Sequence, residues 1–326
     1  MGEMVRITDV SPRDGLQNEP LRAGDAPIPT AEKARLITAL VASAVDEVEV
    51  TSFVSPRWVP QLGDAPELCD AIAHLRGPSG GAVFSALVPN AKGMEGALAA
   101  NARSLESHGR RVIDRVAVFT AASETFSKRN TNATIAETIE RFREVVAMAR
   151  EAGIGVRGYV SCAIACPFEG AIAPGRVADV AARLSELGID EIDLGDTIGV
   201  GTPDTTRAML EAVMRTINAQ ATRITLHLHD TFGHAADCTR TALDVGVRSF
   251  DGAAGGLGGC PYASTPERRA PGNIDAELLV RTIEAAGYRT GVDLTRLRDA
   301  ARIARGLATS PSSDDASRAA RTDASK

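Results

Sequence analysis

The chain has 326 residues, 44% hydrophobic and 24% charged, ordinary values for a globular protein with room for one large α/β domain or two modest ones. Lys and Arg number 36 against 42 Asp and Glu, a net charge of −6, so no broad basic surface and no nucleic-acid partner are expected. The start, MGEMVRITDV, lacks a basic-then-apolar pattern, and no apolar run approaches the ~18 residues of a membrane span. Five cysteines (69, 162, 166, 238 and 260) form no CxxC pair, which fits a reducing cytoplasm.

The first predicted strand, 5–10 (VRITDV), runs directly into SPRDGLQNE at 11–19. The second, 46–51 (DEVEVT), carries Glu49 and Thr51, two apart and so expected on one face. The third is 82–88 (AVFSALV); the stretch 101–112 (NARSLESHGRRV) then reads as a lengthened helix before a fourth strand at 112–119. Thr134 and Glu137 form a capping box ahead of Ile135, Ile139, Phe142, Val146 and Ala149 at helical spacing, and Gly153 suits the stop.

The fifth strand is placed at 154–160 (IGVRGYV), and Cys162 and Cys166 beyond it read as structural. Val177, Val180, Ala181 and Leu184 mark a helix between Pro174 and Gly188. A sixth strand at 189–194 leads into DLGDTIGVG, which sets Asp196 and Thr197 at its end. Thr202 before Pro203 opens a helix whose stripe is Leu210, Val213, Met214 and Ile217.

The seventh strand, 223–229, ends in HLHD, and the eighth, 247–252, enters the glycine-rich DGAAGGLGGCPYA at 251–263. Helices follow at 276–286 and 294–307, and the polar 308–326 is expected to be a disordered tail.

Eight alternations of strand and helix over about 250 residues predict a single-domain (β/α)8 TIM barrel at 1–307 with extra C-terminal helices. A doubly wound open sheet is the alternative. In a barrel, functional side chains gather just after strand C-termini. Arg13 and Asp14 follow the first strand there. His227 and His229, two apart, point to one face of the seventh, and two imidazoles with a carboxylate are a common divalent-metal set. A single His could be a satisfied core residue; a His-x-His pair at a barrel rim is harder to explain that way. Cys260 reads as a thiol on a mobile glycine-rich loop over the site, although a cysteine in such a loop is by itself more often incidental, and Asn273 can lend a carbonyl oxygen to a hard cation. Glu49 and Asp196 read equally as site carboxylates or loop-orienting ones.

Taken together, DVSPRDGLQNE (9–19), EVTSFVSPRWVPQLGD (49–64), ASETFSKRN (122–130), VRGYVSCAIACPFEG (156–170), LGDTIGVGTP (194–203), HLHDTFGHA (227–235), GGLGGCPYA (255–263) and GN (272–273) resemble the 3-hydroxy-3-methylglutaryl-CoA lyases, within the metal-dependent TIM-barrel lyase and Claisen synthase family. The cysteine-bearing loop is the segment most specific to the lyases. The resemblance implies cleavage of a 3-hydroxyacyl-CoA to acetyl-CoA and a keto acid, with Mg2+ or Mn2+ as cofactor. A homodimer is expected, and the cysteine usage points to the cytoplasm.

It also implies metal ligands at Asp14, His227, His229 and Asn273 and catalytic roles for Arg13, Asp14, His227 and Cys260. Arg13 would face the enolate oxygen; Arg13, Gln17, Glu49, Ser52 and Asp196 would bind substrate or hold the catalytic groups. The base that takes the hydroxyl proton stays open among Asp14, His227 and a metal-linked water. Gly15 is read as the turn that separates the tasks of its neighbours. One departure from the lyases is a longer link, CPYASTPERRAPGN, which brings Arg268 and Arg269 toward the site entrance and leaves the register of Asn273 open. A related substrate such as citramalyl-CoA, or a Claisen synthase or aldolase on oxo acids, is the alternative.

Overall fold

Eight parallel strands close on themselves in the computed structural model, which describes residues 2–76, 81–217, 222–259 and 272–308. In chain order the strands are β1 (Arg6–Asp9), β2 (Glu47–Ser52), β3 (Val83–Leu87), β4 (Arg115–Ala121), β5 (Gly155–Ser161), the two-residue β6 (Ala165–Cys166) and β7 (Gly170–Ala171), then β8 (Glu191–Asp196), β9 (Arg223–Leu228) and β10 (Ser249–Gly252). Around the barrel β1 neighbours β2, β3, β4, β5, β8, β9 and β10 in turn, and β10 pairs back onto β1. That closure makes the fold a TIM barrel and removes the open-sheet alternative. The hairpin β6–β7, which the apolar pattern did not signal, is antiparallel and lies outside the barrel sheet.

The surrounding helices are α1 (Thr30–Ala42), α2 (Ala65–Ile72), α3 (Ala91–His108), α4 (Glu124–Thr131), α5 (Ile135–Glu151), α6 (Pro174–Glu186), α7 (Pro203–Thr216), α8 (Ala235–Val245), α9 (Ala276–Ala285) and α10 (Leu294–Ala308). Local chemistry sets their ends. Thr134 Oγ accepts from the Glu137 N–H at 3.1 Å and Glu137 returns a contact to the Thr134 N–H at 2.7 Å, the expected capping box. Thr202 caps α7 in the same way with Thr205. Gly153, at φ 63°, leaves α5 through the left-handed region. The additional C-terminal helices finish the outer ring: α10 packs against α1, and Arg305 reaches Asp275 at 3.6 Å. Among the described residues no helix is long and apolar enough to cross a membrane.

Two expectations need correction. The fourth strand begins at Arg115 rather than 112, because the Asn101 side chain of α3 binds the N–H of Val112 and Ile113 and the carbonyl of Ile113. The stretch 101–112 is thus the end of a long helix plus the turn it pins. Glu49 and Thr51 do not share a face, because a register shift lies between them. Glu49 pairs with Ser85 and Ser52 with Leu87, so the bulge turns Ser52 to the face that Glu49 occupies.

The apolar core lies between barrel and helices, where Ile7, Val48, Phe84, Val116, Val156, Ile192, Leu226 and Phe250 are buried against the helical stripes. The barrel interior is different. Instead of the usual branched aliphatic layers it holds charges. Arg115 bonds Glu47 at 2.7 Å and Glu191 at 2.8 Å, Arg223 reaches Glu191 at 2.9 Å, and Thr225 donates to Glu191 at 2.6 Å. Arg157, 1% exposed, bonds Glu191, Asp251 and Thr8. A buried network of this kind costs desolvation and contributes little net stability. What it supplies is a stiff polar floor beneath the barrel mouth.

Candidate active site

The chain leaves β1 in a single π-turn over Ser11–Gly15, in which the Gly15 N–H reaches the Val10 carbonyl at 3.1 Å. Pro12 suits the first position of such a turn, and the wide turn sets Arg13 and Asp14 over the barrel mouth. Gly15 ends that turn with a φ that is not positive. A Cβ there would sit 3.0 Å from Leu257 and 3.4 Å from Ser11, a tight fit in which a neighbour must give by a few tenths of an ångström. The turn is tied down by Asp9, whose carboxylate accepts from the Ser11 N–H at 2.9 Å, the Ser11 hydroxyl and the Ala254 N–H at 2.9 Å. Burial lifts the Asp9 pKa to about 7 against these bonds.

Arg13 donates from Nε to Glu49 at 2.6 Å and from Nη1 to Asp14 at 2.6 Å, and its guanidinium carbon lies 5.3 Å from the centre of the Tyr159 ring. Burial works against the charge on Arg13, but Glu49 and Asp14 outweigh it and raise its pKa, so it is a permanent cation. Asp14 also accepts from Gln17 at 2.7 Å and from the Asn273 amide at 2.9 Å. Burial opposes its ionisation; Arg13, His227 and His229 together hold its pKa well below the usual carboxylate range.

His227 and His229, each 7% exposed, have ring centres 5.3 Å apart. One ligand atom from each of Asp14, His227 and His229 lies within 4.8 Å of the others. Burial, then His227, lowers the His229 pKa to about 4, so its imidazole is neutral near neutral pH. Asn273 completes the group. It bridges to His229 through the backbone, and its amide nitrogen is committed to Asp14 and to the Leu257 carbonyl, both at 2.9 Å. Asn273 Oδ1 and His229 Nδ1 are buried and have no hydrogen-bond partner among the described residues. Orphaned polar atoms of that kind beside a carboxylate and a second imidazole are what an oxygen-and-nitrogen-seeking divalent cation satisfies, so the donor set fits such an ion.

The other expected residues divide. Glu49 is fully buried and holds Arg13; burial raises its pKa despite that partner. Ser52 is buried next to Leu87, which packs with Ala117, Tyr159 and Phe119 as an apolar wall. Asp196 accepts the N–H groups of Val200 at 3.3 Å and Gly201 at 2.7 Å, and burial lifts its pKa to about 6; it orients the loop after β8. Thr197 braces the neighbouring loop by accepting the Cys162 N–H at 2.7 Å. Cys162 and Cys166 are buried and not joined in a disulfide, and Cys166 takes hydrogen bonds from Ser123 and Phe168, in keeping with a structural role. Cys260, Arg268 and Arg269 lie outside the described residues. Asn273 nonetheless has a defined register, since Ile274 bonds Leu228 and Ala253 on either side.

Arg157, Tyr159, Asp193 and Asp251, which no sequence motif marks, join the same polar cluster. Tyr159 donates to Glu49 at 3.1 Å, and His227 Nδ1 lies 3.2 Å from Asp251. The signal was available: ionisable residues two apart in VRGYV and EIDL sit on strands otherwise rich in buried apolar residues, where an unpaired charge is rarely tolerated.

A closed parallel barrel with a carboxylate, two imidazoles and a buried arginine meeting at its C-terminal mouth defines the class: a TIM-barrel enzyme with a candidate metal centre. The profile of the HMGL-like family matches residues 4–304, and the chain belongs to that family. It is 44% identical over 298 residues to the mitochondrial hydroxymethylglutaryl-CoA lyase of Bos taurus, covering 91% of this chain and 84% of that one. It superposes on the HMG-CoA lyase of Brucella melitensis with a TM-score of 0.83 at 44% identity, over 94% of this chain and 100% of the other. An HMG-CoA lyase from A. baumannii, in complex with coenzyme A and 3-methylmalate, matches with a TM-score of 0.80 at 33% identity over 95% and 92% of the two chains.

Proposed function

We propose that the protein cleaves 3-hydroxy-3-methylglutaryl-CoA to acetyl-CoA and acetoacetate, using Mg2+ or Mn2+ held by Asp14, His227, His229 and Asn273. The observation that carries this is the meeting of those four side chains with Arg13 at one barrel mouth, in a chain 44% identical to a hydroxymethylglutaryl-CoA lyase.

The bond to break joins a tertiary alcohol carbon to the α-carbon of a thioester. As it breaks, the hydroxyl must lose a proton and negative charge grows on the thioester oxygen. When bound, the divalent cation supplies Lewis acidity and a chelating template for the substrate hydroxyl and carboxylate. Arg13, fixed by Glu49 and Asp14, offers its remaining N–H donors to the enolate oxygen. Glu49 and Tyr159 hold that guanidinium in place, so little reorganisation is needed as charge develops. Proton acceptance from the hydroxyl falls to His227 or Asp14. Gln17 buttresses Asp14, Ser52 stands beside the apolar wall at Leu87, and Asp196 shapes the loop after β8. Cys260 is proposed to return a proton to the acetyl-CoA carbanion. The cysteine content suits a cytoplasmic setting.

The test is direct. Purified protein with Mg2+ or Mn2+ is incubated separately with 3-hydroxy-3-methylglutaryl-CoA and with citramalyl-CoA, and acetyl-CoA, acetoacetate and pyruvate are measured. Acetoacetate from the first substrate is expected. Pyruvate from the second alone would move the assignment to a related lyase, and acetyl-CoA from neither would end it.

A further inference from the structure

His227 is shared between two groups. It belongs to the Asp14–His229 cluster, and its Nδ1 lies 3.2 Å from Asp251 Oδ2, which leaves Nε2 as the other ring nitrogen. Asp251 is fully buried and is gripped from behind by Arg157 Nη1, at 3.0 and 3.1 Å to its two oxygens. Arg157 is in turn anchored by Glu191 and by Thr8 Oγ at 3.0 Å. A continuous polar chain therefore runs from β8 through β5 and β10 to His227 on β9. The Tyr159 ring stands edge-on to the imidazole, at 87° and 6.2 Å between centres, and limits its rotation.

We infer that Asp251 is a positioning residue for the reaction: it fixes His227 as the Nδ1–H tautomer and so keeps Nε2 as the lone-pair nitrogen available to the Asp14–His229 cluster. An ionised carboxylate can only accept. Arg157 Nη1 donates to both oxygens of Asp251, which keeps that carboxylate an acceptor, so the shared hydrogen belongs to the imidazole. Carboxylates placed behind ligating histidines fix ring orientation and raise ligand basicity. A second cation site at Asp193, His227 and Asp251, whose ligand atoms also lie within 4.8 Å, is disfavoured because Arg157 already fills that position, 3.3 Å from Asp193.

The inference rests on the metal centre proposed above, and its test separates the two. The chain has only five histidines, so 15N-histidine NMR of the wild-type protein can assign the tautomer of His227. Mn2+ binding to EDTA-stripped protein is measured by electron paramagnetic resonance for wild type, His229→Ala and Asp251→Asn, with circular dichroism to confirm folding. Expected are an Nδ1–H form of His227 in the wild type and Mn2+ affinity about 10–100-fold weaker in Asp251→Asn. An Nε2–H tautomer in the wild type, or unchanged Mn2+ affinity in a folded Asp251→Asn variant, overturns the role of Asp251 and leaves the metal centre standing. Wild-type protein whose Mn2+ binding does not depend on His229 overturns the metal centre instead, while the tautomer measurement still decides the part played by Asp251.

Discussion

The Nε atom of Arg13 donates to Oε2 of Glu49 across 2.6 Å, both side chains buried, so the orientation of the site's guanidinium is set by a residue from the next strand. With Asp14 taken by Nη1, the arginine fork is anchored at two donors and its remaining N–H groups are available to substrate. A lysine would keep the charge but could not satisfy both carboxylates and face a substrate oxygen as well. Arg13→Lys is expected to lower kcat by about 10²-fold or more with a smaller change in KM. Steady-state kinetics decide it: a loss confined to KM would make Arg13 a ground-state contact and not the enolate partner.

Removal of the metal is expected to abolish activity, and addition of Mg2+ to restore it. Within the ligand set the contributions differ. His229 is neutral down to about pH 4, so protons do not compete with a cation for it near neutrality. His229→Ala is expected to weaken Mn2+ binding by roughly tenfold or more, and Asn273→Ala by less, since a neutral amide oxygen is the weaker donor. Titration with Mn2+ measures both, and an unchanged affinity in His229→Ala would remove that residue from the set.

The barrel was legible because a parallel strand buried on both faces and an amphipathic helix leave different periodicities, and eight pairs of them leave little choice. Arg13, Asp14, His227 and His229 were legible because strand C-termini mark the mouth. The bulge that turns Ser52 inward was not, since it inserts one residue into a run of small and β-branched side chains without a glycine to signal it. Gly15 was legible as part of the turn after β1, but its close approach to Leu257 was not, because a glycine packed against a distant side chain looks like any other turn glycine in sequence. Arg157 and Asp251 were hidden because each is meaningful only through the other, and they lie 94 residues apart.

Asp9 gives the molecule a specific pH dependence. Burial raises its pKa on folding from the ordinary aspartate range to about 7. The folded state therefore binds the proton more tightly than the unfolded chain does. The stabilisation is fully present below the unfolded pKa and is lost as pH rises through about 7. Relative to Asp9→Asn, wild-type stability is expected to fall by up to about 4 kcal/mol between roughly pH 4 and pH 8. Urea melts of both proteins across that range test it, and a constant difference would show that Asp9 does not titrate on folding.

Gly258 links the glycine-rich segment to the metal centre. Its φ of 83° favours glycine, and a Cβ there would lie 2.8 Å from Asn273 Nδ2 and 2.8 Å from the Asp14 carbonyl. Gly258→Ala must strain the backbone, by about 1–3 kcal/mol, and also push Asn273 away from Asp14. Gly170, in the β6–β7 hairpin, has a similar φ of 75° with nothing within 4 Å of the added Cβ, so Gly170→Ala pays the backbone cost alone. Both variants are expected to melt earlier than wild type, but only Gly258→Ala should lose Mn2+ affinity and kcat. Equal losses of stability with unchanged Mn2+ binding in both would mean that Asn273 and Asp14 accommodate the added methyl and that the close packing of Gly258 does not hold the ligand set.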